Sequence, residues 1–218
     1  WNMGWMNALC HYLKMDPYFR QFHHKDVTFS MIYAFSENYV LPLSHDEVVH
    51  MKGSLRGKMP GDDWRQLAGV RSFWAYMLCH PGKKLLFMGS ELGQLREWTE
   101  EQQQDWDILK YPIHDAFYHY MLELNRLYLT EPALYQDDYE RDGFCWVDCH
   151  QEAKGIYAME RRAGDSRILI LLHMSDEATQ TFTFTLPDCG SLKPLLHTDW
   201  KRFHGSTEES KQAIVGDV

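Results

Sequence analysis

The sequence has few of the features that mark a membrane protein, a nucleic-acid-binding protein or a disulfide-bonded protein. No apolar run reaches the roughly 20 residues that span a bilayer. The 22 lysines and arginines are scattered among 31 acidic residues, and the net charge is −9. A surface of this sign repels phosphate, so we expect neither a nucleic-acid nor a membrane partner. The five cysteines are odd in number and form no CxxC pair, which favours reduced thiols in a cytoplasmic protein.

Common cofactor, nucleophile and metal motifs are also lacking. There is no glycine-rich phosphate loop, no GxSxG elbow and no dinucleotide fingerprint. The stretch 45–50 begins and ends with histidine and superficially resembles the zinc motif HExxH, but its histidines are five apart instead of four. Cys145 and Cys149 have no second ligand pair in view, and the adjacent side chains of His23 and His24 should diverge. We therefore expect no metal and no cofactor.

The residues that are present predict a globular chain in two regions. Hydrophobic residues make up 44% of the 218 positions, enough for a real core, and aromatic residues make up 14%. The chain opens on Trp1 without an initiator methionine, so a longer protein is expected. The residue pattern changes near Tyr135, from alternating helical and strand-like segments to strand-like segments only. This change predicts one domain over residues 1–135 and a second over 136–218.

The first region alternates helical and strand-like patterns. Apolar spacing of three and four predicts helices, and short apolar runs bounded by proline or glycine predict buried strands. The predicted elements are a helix over 5–15 that Pro17 ends, a short helix over 27–35, a strand over 39–43, a helix that Asp62 or Asp63 caps and whose apolar face runs from Trp64 to Leu78, a strand over 84–89, and a helix over 115–129.

The second region is strand-like throughout. Four runs, at 144–147, 155–159, 168–172 and 181–185, are separated by turn residues at the spacing of an antiparallel sandwich. The last of them alternates cleanly between phenylalanine and threonine.

Two long loops, 44–61 and 89–113, follow strands rather than helices. In a parallel α/β barrel the loops at the carboxyl ends of strands build the active site. The first loop opens with His45 and Asp46, which place an imidazole and a carboxylate side by side at a strand end. Glycosyl transfer uses carboxylates around an oxocarbenium-like transition state and hydrogen bonds to sugar hydroxyls. An ordinary strand-end cap explains the same residues equally well.

The second loop holds three further candidates. Glu91 lies between Gly89 and Gly93, where it is either a second site carboxylate or a glutamate that bonds the backbone amides of a tight loop. Trp98 and Trp106 either stack on sugar rings or belong to the core.

Several strings resemble the α-glucan (glycogen) branching enzymes of the α-amylase superfamily. Hydrolytic amylases share the strand-end His45-Asp46 but not the longer string Leu-Pro-Leu-Ser-His-Asp-Glu-Val-Val-His at 41–50. The similarity is dense over about the first 110 residues and thinner to about residue 205. The strings that carry it lie at 1–6, 15–17, 20–24, 28–30, 37–50, 59–62 and 81–89.

The resemblance implies the C-terminal part of a (β/α)8 TIM barrel, followed by a partial antiparallel β-sandwich. It implies retaining transfer of an α-1,4-glucan segment to a 6-hydroxyl, which makes α-1,6 branches in glycogen, without a cofactor. The strands at 39–44 and 84–88 would be the seventh and eighth of the barrel. Asp46 matches the family's transition-state stabiliser and His45 its partner for sugar hydroxyls.

The family's nucleophile and acid/base lie upstream of the segment that matches Trp1, so the resemblance implies that the isolated chain is inactive. The sequence departs from the family at Ala8, where an acidic residue is usual, and at Met51, where glycine is usual, and the sandwich lacks its final strands. Two other functions stay open, an α-glucan hydrolase and a non-catalytic glucan-binding module.

Overall fold

The computed structural model describes residues 1–178, 181–187 and 189–209. Short 3-10 turns join its helices and strands. In chain order these are α1 (Met3–Lys14), α2 (Pro17–Arg20), α3 (His24–Thr28), β1 (Val40–Leu43), α4 (Asp63–Cys79), β2 (Lys83–Leu86), α5 (Pro112–Thr130), β3 (Phe144–Gln151), β4 (Ile156–Ala163) and β5 (Ser166–His173).

Helix α4 begins and helix α1 ends where the sequence predicts, whereas α5 begins at Pro112, three residues before its predicted start. The Asp62 side chain accepts a hydrogen bond from Arg65 N at 2.9 Å and so caps α4, and helix α1 ends at the extended Met15 before Pro17. One residue of the predicted apolar face of α4 was placed wrongly. Trp64 is exposed, and its indole N–H donates to the carbonyl of His204 at 2.7 Å.

The predicted helix over 27–35 is shorter and divided. Helix α3 ends at Thr28, and a 3-10 turn covers Phe29–Ile32. Phe29 and Ile32 are exposed, so this stretch has too little buried surface to continue a regular helix.

Strands β1 and β2 pair in parallel, with Val40 opposite Lys83 and Leu43 opposite Leu86. Helix α4 forms the crossover between them, as in a βαβ unit. Both strands agree with the prediction, but β2 is only partly buried. The reason is that this sheet has two strands in the described chain, so part of its surface lacks a covering layer.

The second sheet is antiparallel, in the order β3–β4–β5. The fourth predicted strand, 181–185, is not a strand in the structure. Its side chains still alternate in exposure, and the rings of Phe182 and Phe184 stack with centroids 5.8 Å apart, but no strand among the described residues pairs with its backbone. The described residues therefore contain a small antiparallel sheet, without a second facing sheet and without a closed barrel. Residues 210–218 of the predicted second domain lie outside the described part.

One core joins the two regions. Trp5, Trp74 and Tyr157 are buried in the same apolar cluster, although they belong to α1, α4 and β4. Arg161 of β4 reinforces the joint, and its guanidinium is held by a buried ion pair with Asp138 at 3.0 Å. The same guanidinium bonds the carbonyls of Cys79 and Gly143, which ties the end of α4 to the sheet. In the described part of the chain, no helix combines the length and the apolar character needed to cross a membrane.

All five cysteines carry free thiols. Burial raises the pKa of Cys10 and of Cys79 to about 11, so these two thiols stay protonated and unreactive at neutral pH.

Candidate functional site

The candidate site lies at the carboxyl ends of β1 and β2. The strands end side by side, and Phe87 N donates to the carbonyl of Leu43 at 3.0 Å just beyond the pairing. The two long loops then meet, since Trp98 N donates to the carbonyl of Val48 at 3.1 Å. The topology thus brings the loops 44–61 and 89–113 together at one edge, as the sequence predicts.

A capping box shapes the turn that carries the first candidates. Glu47 accepts hydrogen bonds from Ser44 N at 2.7 Å and from the Ser44 hydroxyl at 3.0 Å, while the Ser44 oxygen accepts from Asp46 N at 3.3 Å. Glu47 and Ser44 are both buried. The Glu47 carboxylate is therefore engaged in hydrogen bonds that stabilise the turn on which Asp46 lies.

Asp46 and His45 leave this turn towards solvent. Both side chains are 54% exposed, and His45 Nε2 lies 3.3 Å from the Asp46 carboxylate. The ammonium of Lys52 donates to the Asp46 backbone carbonyl at 2.6 Å, which fixes the main chain and leaves the carboxylate open. The carboxylate can therefore accept further hydrogen bonds or face a developing positive charge.

An aromatic wall borders the pair. The His45 ring lies 6.0 Å from Phe87, and Phe87 meets Trp98 edge to face at 5.1 Å. Trp98 is partly buried, and its indole nitrogen has no hydrogen-bond partner among the described residues. Trp106 lies on the turn Trp106–Lys110 and is 53% exposed, with no ring contact to this wall in the described structure. The two tryptophans thus occupy different settings, one in the wall and one at the surface.

Glu91 follows β2 on a 3-10 turn between two left-handed glycines. Gly89 has φ 87° and Gly93 has φ 62°, conformations that glycine adopts without strain. A Cβ at Gly93 would lie 2.8 Å from Leu67 and 3.0 Å from Phe117, so the turn also packs tightly against α4 and α5. No hydrogen bond to the Glu91 carboxylate is found in the described residues. The structure therefore does not support the alternative that Glu91 bonds loop amides.

That amide-binding position belongs to Glu97, which sequence reasoning missed. Its two carboxylate oxygens accept from Met51 N at 2.7 Å and from Gly53 N at 3.0 Å. Both amides belong to a left-handed stretch, in which His50 has φ 56° and Met51 has φ 65°. Charge-assisted bonds of this kind are about twice as strong as neutral ones. Glu97 therefore clamps the first loop to the second across 46 positions of sequence.

Arg56 forms a second junction beneath the loops and was also missed. The buried guanidinium donates to His114 Nε2 at 3.0 Å and pairs with Asp63 at 2.5 Å. Arginine can only donate, so His114 must accept at Nε2 and donate from Nδ1 to the carbonyl of Leu92 at 2.9 Å. The network joins the first loop to α4, α5 and the turn that bears Glu91.

Comparison with known proteins places this geometry in a family context. Residues 146–217 match the domain described as "Alpha amylase, C-terminal all-beta domain". The chain is 46% identical over 208 residues to the 1,4-alpha-glucan branching enzyme GlgB of Aquifex aeolicus, and the match covers 94% of the chain and 33% of that enzyme. It is 43% identical over 219 residues to the enzyme of the same name from Shewanella baltica, and this match covers the whole chain and 30% of the enzyme.

The comparisons confirm the resemblance found in the sequence. The chain is similar to part of these branching enzymes and spans about a third of the length of the curated relatives it matches.

Proposed function

We propose that the protein to which this chain belongs is a 1,4-alpha-glucan branching enzyme, a retaining glycosyltransferase that moves an α-1,4-glucan segment to a 6-hydroxyl and forms α-1,6 branches in glycogen. The observation that carries the proposal is the solvent-open carboxylate of Asp46, held beside His45 at a strand end. Identities of 43–46% to enzymes of that name support it.

In this proposal residues 1–135 are the C-terminal portion of a (β/α)8 barrel, and residues 136–218 are a truncated β-sandwich. The parallel β1–α4–β2 unit supports the first assignment, because a barrel is built from such units and has its site at the carboxyl ends of its strands. The antiparallel β3–β5 sheet and the domain match over 146–217 support the second.

Asp46 acts as the transition-state stabiliser. Cleavage of a glycosidic bond builds positive charge on the sugar ring, and a fixed carboxylate favours that charge more than it favours the neutral ground state. The capping box gives Asp46 its fixed position without using its carboxylate. His45 shares the same turn and offers a ring nitrogen for a sugar hydroxyl.

The nucleophile and the acid/base come from the part of the barrel that precedes this chain. Retention needs both groups, one on each side of the scissile bond. Glu47 and Glu97 are unsuitable for these roles because hydrogen bonds to loop groups already hold their carboxylates. The isolated chain therefore holds one of three catalytic carboxylates and has no branching activity.

Glu91, Trp98 and Trp106 line the glucan path. Glu91 has a partly exposed carboxylate beyond β2, suited to sugar hydroxyls. The Trp98 ring belongs to the wall beside His45, and Trp106 presents an exposed ring on which a sugar face can stack.

The test is an Asp46→Asn substitution in the full-length protein. Loss of one preorganised charge that acts in the transition state should lower the branching rate by about 100-fold or more. Incubation with amylose, followed through the iodine-stain absorbance, reports branching. Asp115→Asn is the matched control, because Asp115 is 55% exposed and also lies beside a histidine, His119, at 3.5 Å. Activity of Asp46→Asn close to that of the control would remove Asp46 from the mechanism.

Two readouts separate the alternatives. A rise in the number of reducing ends would identify an α-glucan hydrolase, because transfer of a segment to a 6-hydroxyl leaves that number unchanged. Retardation of the isolated chain in glycogen-containing gels, with an inactive full-length protein, would identify a binding module.

A further inference from the structure

Two histidines converge on one carboxylate far along the chain from the candidate site. His11 Nδ1 lies 2.8 Å from Asp26 Oδ2, and His23 Nδ1 lies 3.7 Å from the same oxygen. The three ligand atoms all lie within 4.8 Å of one another. His11 is in the last turn of α1, whereas His23 and Asp26 stand at the start of α3. The cluster therefore bridges two helices.

The expected divergence of His23 and His24 is what allows this arrangement. His24 turns away and stacks on Tyr157, with ring centroids 5.1 Å apart and planes 14° apart. His23 meets the edge of the His11 ring at 5.2 Å instead. The second imidazole of the cluster thus comes from α1, 12 positions earlier, where no sequence motif points to it.

The spacing suits a tetrahedral ion. Zinc binds imidazole nitrogen and carboxylate oxygen at about 2.0–2.2 Å, so two ligands of one ion lie about 3.3 Å apart. The His11–Asp26 separation would have to widen and the His23–Asp26 separation to shorten, each by about half an ångström.

The surroundings leave room for the ion. The ion pairs that Asp26 makes with described residues are both with these histidines, so no lysine or arginine of that part of the chain neutralises the carboxylate. The His11 and His23 side chains are 60% and 40% exposed, which leaves a face where water can complete the coordination. Two imidazoles and one carboxylate form a donor set that zinc favours.

We propose that His11, His23 and Asp26 form a zinc site that ties α1 to α3. It shares no residue with the glucan site. Bound zinc would stabilise the contact between α1 and α3, in the segment that precedes β1. A metal that binds the folded state alone raises its stability by mass action, so zinc should raise the melting temperature of the chain.

The experiment is calorimetric titration of the full chain with zinc chloride, together with thermal unfolding with and without zinc. The wild type should bind one zinc ion per chain. His11→Gln and His23→Gln should each weaken binding at least about tenfold and abolish the rise in melting temperature, since each removes one of three protein ligands. His119→Gln is the control, because His119 is equally exposed, at 60%, and pairs with Asp115 without a second histidine.

Cobalt substitution tests the ligands directly in the wild type and does not depend on the folding of a variant. A d–d absorption of tetrahedral cobalt, without a thiolate charge-transfer band, is the expected spectrum. Equal zinc affinity in all four proteins, absence of binding, or a thiolate band from the free cysteines would each overturn the proposal and leave the cluster as a histidine–aspartate ion pair.

Discussion

The buried imidazole of His80 should make the fold sensitive to acid. His80 ends helix α4, is 1% exposed and packs against the rings of Trp5 and Tyr76. Its Nδ1 lies 2.7 Å from the carbonyl of Pro81, to which it must donate, so its Nε2 accepts from the Ser30 hydroxyl at 2.9 Å. Both nitrogens of the neutral His80 ring therefore have hydrogen-bond partners. A proton added at Nε2 would point at the Ser30 hydroxyl, which would then have to accept instead of donate.

The magnitude follows from the shift in pKa. Burial lowers the pKa of His80 to about 3; the hydrogen bond to Pro81 opposes this shift, and the cations Lys84 and Arg161 add to it. The unfolded chain takes up a proton near pH 6.5, whereas the folded chain does so only near pH 3. Unfolding therefore binds a proton within that window, and stability falls as pH falls through it. The loss between about pH 7 and about pH 4.5 is roughly 2.5 kcal/mol from this group.

Urea unfolding followed by tryptophan fluorescence across that pH range measures the effect. The pKa values of His24, His173 and His197 are also lowered by burial, so the wild type should lose more stability than His80 alone explains. His80→Gln removes one titrating group and should flatten the pH dependence by up to about 1.4 kcal/mol per pH unit. The exposed control His119→Gln should keep the wild-type slope. Equal slopes in His80→Gln and the wild type would refute this account of His80.

Two further predictions concern stability. Met51→Gly should raise the free energy of unfolding by about 1 kcal/mol, because Met51 is 98% exposed and holds φ at 65°, where a Cβ is strained. A lower free energy of unfolding, measured by urea titration, would contradict this. Asp138→Asn should lower the free energy of unfolding by about 3–5 kcal/mol, because it leaves the fully buried Arg161 without its counter-charge; a loss below about 1 kcal/mol by the same assay would show that the pair is not needed.

Local elements were predictable because their signals lie within a few residues. Helix α4 begins at its predicted cap, and α5 includes the helix predicted over 115–129 and buries Phe117, Met121 and Leu124. Strand β1 keeps Pro42 within its pairing, opposite Leu85, because a proline can still accept hydrogen bonds through its carbonyl.

Elements that depend on distant partners were not predictable in the same way. Residues 181–185 alternate as a strand should, but alternation fixes only which side chains are buried. A strand also needs a neighbour to accept its backbone hydrogen bonds, and the described chain supplies none there. The 3-10 turn at Phe29–Ile32 likewise ends a helix because its apolar side chains find no core.

The candidate site divides along the same line. The place of Asp46 and His45 just beyond a strand end was predictable, because an apolar run is followed there by polar residues. Glu97 and the Arg56–His114 contact join positions 44 to 58 apart in sequence, so no local spacing could indicate them. The sequence places Glu97 in the loop after the second strand, but Glu91 lies in the same loop. The sequence therefore could not indicate which of the two binds backbone amides.

The four carboxylates near the two strand ends differ in their hydrogen-bond partners, and the tertiary structure sets those partners. They belong to Asp46, Glu47, Glu91 and Glu97. Glu47 accepts a hydrogen bond from a backbone amide of the first loop, and Glu97 accepts from two amides of the same loop. Each carboxylate therefore pairs with N–H donors that would otherwise lack an acceptor. Of these four, Asp46 combines a fixed backbone with an exposed carboxylate, whose one ion-pair partner among the described residues is His45. The Glu91 carboxylate has no hydrogen bond among the described residues, and its turn is set by two left-handed glycines. In the proposed function a carboxylate serves the transition state when its position is fixed and its oxygens are accessible; Glu47 holds the turn that carries Asp46, and Glu97 holds the loop that follows it.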